Sequence, residues 1–351
     1  MNDFNPFDDY SDDDIDNKTT KENNTNLPWI EKYRPKQLSD IASHEKIMGS
    51  LKVFIQDESL PHILFYGPPG TGKTSTIQAY ARQIYGDSYS FMVMEINASE
   101  DRGIDLVRNK IKQFASSTNY FQKLSGGDQK YKLIILDEVD AMTEDAQSIL
   151  RYVMDNYVGN TRFCLICNYI KNIDEALQSR CTCFRFSPIP DKEMTKIIKK
   201  ISEKENLTIT KSGIDSLIKI SNGDLRKVLN NLQSLGMIYD KITESKIDKC
   251  FGYPSKDQIG NILQYLTNSS IEESYNEIEN LIKEHGLSLS DIINELFRHL
   301  KDKIQNDETI DKKTKNIYAE YISRLRCIEV NQSINSSDTI QISGTVSCFK
   351  I

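Results

Sequence analysis

Two short stretches of this chain have the residue types and spacing for phosphoryl chemistry. The first is Gly67-Pro68-Pro69-Gly70-Thr71-Gly72-Lys73-Thr74, which reads G-x-x-x-x-G-K-T. Its glycines let backbone N–H groups turn inward and approach phosphate oxygens closely. The N-terminus of a following helix, with Ser75 next to the motif, adds partial positive charge. Lys73 can reach β- and γ-phosphates, and the Thr74 hydroxyl can ligate Mg²⁺. The second stretch is Asp137-Glu138, which follows the aliphatic run Leu133-Ile134-Ile135-Leu136. Thr74 and Asp137 would hold the metal, Asp137 through water, and Glu138 would orient and polarise the attacking water. Phosphoryl transfer needs mainly positioning and charge neutralisation, so a lysine, a metal and one carboxylate suffice. The two motifs, in this order, predict a site that binds ATP with Mg²⁺ and hydrolyses it. The alternative, a glycine-rich turn without a ligand, needs different flanking elements.

Those flanking elements are legible. The apolar run His62–Tyr66 precedes the loop and the helix-capable run Ser75–Tyr85 follows it, which is the strand–loop–helix context the motif requires. Phe91–Asn97, Leu133–Leu136 and Phe163–Cys167 read as buried strands, the last ending at Asn168. Ser179-Arg180-Cys181 is a loop before a strand at Phe184-Arg185-Phe186, and Glu144–Met154 is a helix. Strands that alternate with helical patterns predict a doubly wound α/β fold, a parallel sheet flanked by helices. In such sheets ligands bind beyond the carboxyl ends of the strands, where Asp137-Glu138 falls. Upstream, Leu27–Pro35 holds the sole Trp between prolines and suits an extended segment lying over another surface. Ser39–Phe54 reads as a helix with Ile47, Leu51 and Phe54 on one face.

A second run of interest starts at the turn Ala98–Gly103, which holds Arg102. In the helical pattern Ile104–Phe114, Arg108 and Lys112 share one face, with Lys110 between them. From residue types alone this is either a solvated face or a track for a phosphate backbone. Residues 116–130 read as a loop with Gly126-Gly127 at its tip. Pro188 and Pro190 mark a domain boundary, after which the pattern is helical without a strand, and Asp224 is placed to cap one helix. Gly252-Tyr253-Pro254 marks a further break before amphipathic helices such as Ile271–Lys283 and Ser290–Lys301. The expected organisation is a tail at 1–26, a nucleotide-binding domain at 27–188, a helical lid at 189–248 and an all-α domain at 249–351.

Composition bounds the rest. The first 26 residues hold seven Asp and one Glu against Lys18 and Lys21, and so carry nearly all of the net charge of −7. That segment has too few apolar residues to offset its ordering entropy and is expected to be disordered. The nearly neutral remainder places any basic surface in a local stripe. The acidic start lacks the basic-then-apolar pattern of a secretion signal. No apolar run is long enough to span a membrane. Seven cysteines then suggest reduced thiols in an intracellular protein. Cys164-x-x-Cys167 and Cys181-x-Cys183 superficially suggest zinc, but residues three apart on a strand face opposite sides, so buried structural thiols are expected.

Taken together, Trp29–Pro35, Gly67–Thr74, Asn97–Gly103, Asp137–Asp140, Ser179–Cys181 and Gly223–Arg226 make the chain resemble the small subunits of replication factor C, the sliding-clamp loader of the AAA+ class. The resemblance runs from about Leu27 to Gly252 and more weakly beyond. It implies that Tyr33, Arg34 and Pro35 line the adenine pocket. Asn168 and Arg226 would be two sensors of the γ-phosphate, and Arg180 a finger acting in trans on a neighbouring subunit's site. Asn97 would restrain Glu138 until DNA binds. Arg102, Arg108, Lys110 and Lys112 would face duplex DNA. The lid would be followed by a collar that holds a heteropentamer with four other replication factor C subunits. The assembly would be nuclear, would open the clamp PCNA and would load it on primer–template DNA in replication and repair. Glu100 departs conservatively from the Asp usual there. Rival readings are a structural subunit that holds nucleotide without hydrolysing it, and another ring ATPase such as a branch-migration motor or an unfoldase. Intact Lys73, Asp137, Glu138 and Asn168 weigh against the first, and Ser179-Arg180-Cys181 against the second.

Overall fold

The computed structural model describes residues 27–57, 59–100, 106–117, 131–307, 311–332 and 337–350. The acidic segment 1–26, Arg102 and the Gly126-Gly127 tip lie outside the described residues. The described residues divide into two compact units, one within Met1–Ile201 and Ser221–Ser234, the other within Ser202–Ile220 and Leu235–Ile351.

In the first unit five strands form one parallel sheet: β1 (Ile63–Tyr66), β2 (Val93–Asn97), β3 (Lys132–Asp137), β4 (Thr161–Cys167) and β5 (Thr182–Arg185), in the order β2-β3-β4-β1-β5. A parallel sheet covered on both faces explains why its strands read as unbroken aliphatic runs. Alternation sends Ile63, Phe65, Leu133, Ile135, Cys164 and Ile166 into one core, and Leu64, Ile134, Leu136, Phe163, Leu165 and Cys167 into the other. Cys164 and Cys167 therefore sit on opposite faces. All seven cysteines are free thiols, and no group of three or more metal-ligating side chains occurs among the described residues.

Helices α1 (Glu45–Gln56) and α2 (Lys73–Tyr85) contribute Leu51, Ile77 and Tyr80 to the first core. Helix α3 (Glu144–Asn156) contributes Leu150, Val153 and Met154 to the second. Each fully buried side chain of this size gains about 1.5–3 kcal/mol, so many of them together outweigh local strain at the site described below. Helix α1 starts six residues later than the sequence pattern suggests. Leu38–Asp40 is a separate 3₁₀ turn, and His44 adopts a left-handed φ of 66° just before the helix. The later start keeps Ile47 and Leu51 in the core, and the periodicity could not distinguish it.

The segment around the Trp is also not extended throughout. Trp29–Lys32 is a helical turn entered from Pro28, a residue whose fixed φ suits a helix start. Helices α4 (Asp191–Lys204), α5 (Lys211–Ser221) and α6 (Leu225–Ile238) follow the sheet. Contrary to the all-helical reading after residue 191, the second unit contains a two-residue parallel pair, β6 (Thr208–Ile209) with β7 (Lys241–Ile242). Two residues are too few to show a period.

Helices α7 (Glu244–Phe251), α8 (Lys256–Asn268), α9 (Ile271–His285), α10 (Leu289–Asn306), α11 (Lys312–Gln332) and α12 (Asp338–Ser347) complete the second unit. Its core includes Ile262, Leu266, Ile278, Ile292, Leu296, Leu325 and Val346. Reciprocal capping boxes at Ser255/Gln258 and Ser270/Glu273 start α8 and α9.

Candidate nucleotide site

The loop between β1 and α2 is glycine-rich for steric reasons as well as conformational ones. Gly67 (φ 142°) and Gly70 (φ 68°) lie in the left-handed half of backbone space. A Cβ at Gly67 would sit 2.1 Å from the Phe186 carbonyl oxygen, and one at Gly70 would sit 1.8 Å from Asp224 Oδ1. No side chain fits at either place. The Thr71 hydroxyl closes the turn by donating to the Pro68 carbonyl at 2.9 Å.

Lys73 opens α2 and is 7% exposed. Its ammonium donates to the carbonyls of Gly67 (2.7 Å) and Pro68 (2.9 Å) and to Asn168 Oδ1 (3.0 Å). Burial lowers its pKa, and the Asp137 carboxylate works in the opposite direction. The Thr74 hydroxyl donates to Asp137 Oδ2 at 2.6 Å, across 63 residues of sequence. An oxygen from each motif thus meets at one point, and a hydroxyl beside a carboxylate is a donor set that suits a hard divalent cation.

Asp137 ends β3, and Glu138 follows with φ 57° and ψ 39°. A non-glycine residue in this region costs about 1–3 kcal/mol and is typical of functional sites. The Glu138 N–H donates to Asp137 Oδ1 at 2.9 Å, and the Glu138 side chain is exposed. Asn97 pairs in register with Asp137 on the adjacent strand, and its Oδ1 accepts from the Ser99 N–H at 3.0 Å.

Helix α6 begins against the loop. The Leu225 N–H donates to the Gly70 carbonyl at 3.2 Å. Asp224 Oδ1 caps the helix by accepting from the N–H groups of Arg226 (2.8 Å) and Lys227 (3.3 Å). Arg226 therefore shares one cleft with Tyr33, Arg34, Pro35, Asn168, Glu138, Asp137 and the stretch Pro69–Ser75. Gly67 and Pro68 shape the loop from behind, as backbone acceptors for Lys73.

Several residues position this site through contacts that their place in the sequence does not announce. Asp140 Oδ2 accepts from the N–H groups of both Asn168 and Tyr169, each at 3.1 Å, and so fixes the backbone at Asn168. Its place three residues after Asp137 was its only signal. Arg34 donates to Gln78 Oε1 at 2.7 Å and to Glu31 Oε1 at 2.5 Å, and Gln78 in turn donates to Glu95 Oε2 at 2.5 Å. Arg34 is thereby tied through α2 to β2. Gln147 on α3 donates to the Asn172 carbonyl (3.0 Å) and accepts from the Asp174 N–H (2.8 Å), which holds the segment between Asn168 and Arg180.

Arg180 does not line the cleft. The carboxylate that meets it comes from 25 residues away in sequence. Arg180 donates Nε–H to Asp155 Oδ1 (2.7 Å) and Nη2–H to Asp155 Oδ2 (3.0 Å). Cys181 packs on the second core, whereas Phe184 and Phe186 belong to the first. Alternation along the chain separates them. Among the basic candidates, the described part of the expected helix is a π-helical stretch, Leu106–Ile111, followed by the α-helical Lys112–Ser116. Arg108 lies in that stretch, and Lys110 and Lys112 are exposed.

Residues 63–189 match the ATPase family associated with various cellular activities, AAA. Residues 254–348 match the replication factor C C-terminal domain. Over 93% of its length the chain is 48% identical to a probable replication factor C subunit 5 of Dictyostelium discoideum, covering 91% of that protein. This chain belongs to the replication factor C family. It is 43% identical to replication factor C subunit 5 of Homo sapiens over 93% of this chain and 92% of that one. It is 40% identical to replication factor C subunit 3 of Saccharomyces cerevisiae over 95% of each. A RuvB mutant from Thermotoga maritima has a similar fold, with a TM-score of 0.50 at 15% identity over 74% of this chain and 88% of that one. That likeness concerns the fold alone. The AAA domain and the parallel sheet bear out the expected α/β ATPase core. The replication factor C domain and helices α8–α12 bear out an all-α C-terminal region. Among the described residues no helix is long and apolar enough to cross a membrane.

Proposed function

We propose that this replication factor C chain is an ATP-hydrolysing small subunit of a pentameric clamp loader. It would act with four related subunits, in the nucleus, to open PCNA and place it on primer–template DNA during replication and repair, with DNA and clamp stimulating turnover. The observation that carries the reading is the convergence of Lys73, the Thr74–Asp137 pair, Glu138, Asn168 and Arg226 on one cleft. In this reading the backbone N–H groups of the loop and Lys73 neutralise the β- and γ-phosphates, Asn168 and Arg226 contact the γ-phosphate, and Tyr33, Arg34 and Pro35 enclose the base. Thr74 and Asp137 would hold Mg²⁺, which supplies charge neutralisation at the phosphates. Glu138, exposed at the carboxyl end of β3, accepts a hydrogen bond from the attacking water and directs it at the γ-phosphorus. The products are ADP and phosphate. Residues 189–248 serve as a lid and residues 249–351 as the collar.

The test is to purify the tagged chain from its own cells and identify what accompanies it. Four replication factor C relatives and a ring-shaped clamp are expected. A native mass that fits a homohexamer would overturn the reading in favour of a different ring ATPase.

The DNA part has its own check. With Lys110 and Lys112 both changed to Ala, the assembled loader should bind primer–template DNA more weakly whatever its sequence. The slope of log affinity against log salt should fall by about one unit for each phosphate that the variant no longer neutralises. An unchanged slope would make this a solvated helix face.

A further inference from the structure

We propose that Asp155 is a positioning residue for Arg180, holding the guanidinium side-on so that its remaining N–H groups are presented to an oxyanion on a neighbouring subunit. The inference rests on the reading of Arg180 as a finger that acts in trans.

The donor count carries it. A guanidinium has five N–H groups in a fixed plane. Among the described residues three are engaged: Nε–H with Asp155 Oδ1 at 2.7 Å, one on Nη2 with Asp155 Oδ2 at 3.0 Å, and one on Nη1 with the Ala176 carbonyl at 2.7 Å. One N–H remains on each terminal nitrogen, and two such groups can make the bidentate contact that guanidinium forms with phosphate. Arg180 could therefore engage an incoming phosphate without releasing Asp155. A carboxylate acting as a brake would have to be released first.

Both partners sit on fixed supports. Asp155 is in the last turn of α3, whose Leu150, Val153 and Met154 are buried in the core. Arg180 lies two residues beyond the helical turn Glu175–Gln178, which is anchored by the fully buried Leu177. Gln178 donates to the carbonyls of Ile173 (2.8 Å) and Ile170 (3.2 Å), and Asp174 caps the turn through the Ala176 N–H at 3.1 Å. The side chains of Arg180 and Asp155 are 35% and 52% exposed, so the pair contributes little to stability. Its effect is on orientation. A long, rotamer-rich side chain is held in one direction before the neighbouring site needs it, so its ordering adds nothing to the barrier of the reaction there. Contact with Arg180 also holds the Asp155 carboxyl below its usual range, which keeps it charged.

The experiment uses the assembled loader with hydrolysis confined to the site that Arg180 faces. Asp155→Asn keeps the size but removes the charge and one acceptor oxygen. It should lower kcat at that site by about 10- to 10²-fold, the scale of a small misplacement in a catalytic group, with KM for ATP nearly unchanged. Asp155→Glu should recover most of the loss, and Asp155→Asn should add nothing to Arg180→Ala. If Arg180→Ala abolishes turnover while Asp155→Asn leaves kcat unchanged or raises it, the positioning role is wrong and the finger stands. If Arg180→Ala itself leaves turnover intact, the finger reading fails and this inference goes with it.

Discussion

Glu138→Gln should leave ATP binding by this subunit in place and slow hydrolysis at its site by about 10²–10⁴-fold, the usual contribution of a positioned acid–base group. Glu138 is separated from its neighbours by geometry. Asp137 is committed on both oxygens, to the Thr74 hydroxyl at 2.6 Å and to the Glu138 N–H at 2.9 Å. Lys73 is committed to the loop and to Asn168. Glu138 is the exposed carboxylate beside them, and its left-handed backbone turns the chain sharply just past the end of β3. Gln preserves that shape and adopts the same backbone at similar cost, but it carries no negative charge to polarise water. The contrast is Lys73→Ala, which should weaken nucleotide binding because it deletes the cation among the phosphates. Equilibrium binding of a fluorescent ATP analogue and single-turnover hydrolysis in the assembled complex measure the two effects separately. Full turnover in Glu138→Gln would move the water-orienting role to another residue.

Glu138 also shows what sequence can and cannot reveal. Its identity and its place after an aliphatic strand were legible, because a buried parallel strand leaves an unbroken apolar run and ligands gather at its carboxyl end. The meeting of Thr74 with Asp137 followed from the same logic: both motifs end strands of one sheet, so 63 residues of separation collapse to a hydrogen bond. The left-handed φ did not follow, since nothing in the residue type announces it. The roles of Asp140, Gln78, Gln147 and Asp155 were illegible for a common reason. Each acts by hydrogen-bonding a group remote in sequence, and a polar residue on a helix or turn looks the same with or without such a partner. Boundaries failed where backbone geometry outweighed pattern: at His44, where a left-handed residue delays α1, and at β6 and β7, too short for a period to appear.

Arg180→Ala should leave this subunit's own ATP binding and hydrolysis nearly intact and reduce turnover at the neighbouring site by about 10³–10⁵-fold, the contribution of an arginine finger in related phosphoryl transfers. The separation of effects follows from placement. The cleft is lined by Arg34 and Arg226 as well as Lys73, whereas Arg180 is absent from it and pairs with Asp155 on α3. Folding should hardly change. Asp155 would lose its partner while remaining in contact with water, and an exposed carboxylate needs no counter-ion to stay charged. The core beneath, including Leu177, is untouched. A loss of function without a loss of assembly is thus the expected phenotype, and it is the one that a structural ion pair would not produce. The measurement is hydrolysis in a reconstituted complex where only the neighbour's site retains its water-orienting carboxylate, repeated with only this chain's site intact. If turnover survives in the first arrangement and fails in the second, Arg180 acts on its own subunit. A trans arginine would then have to be sought elsewhere on the chain, and the order of subunits around the ring would have to be rebuilt from that residue.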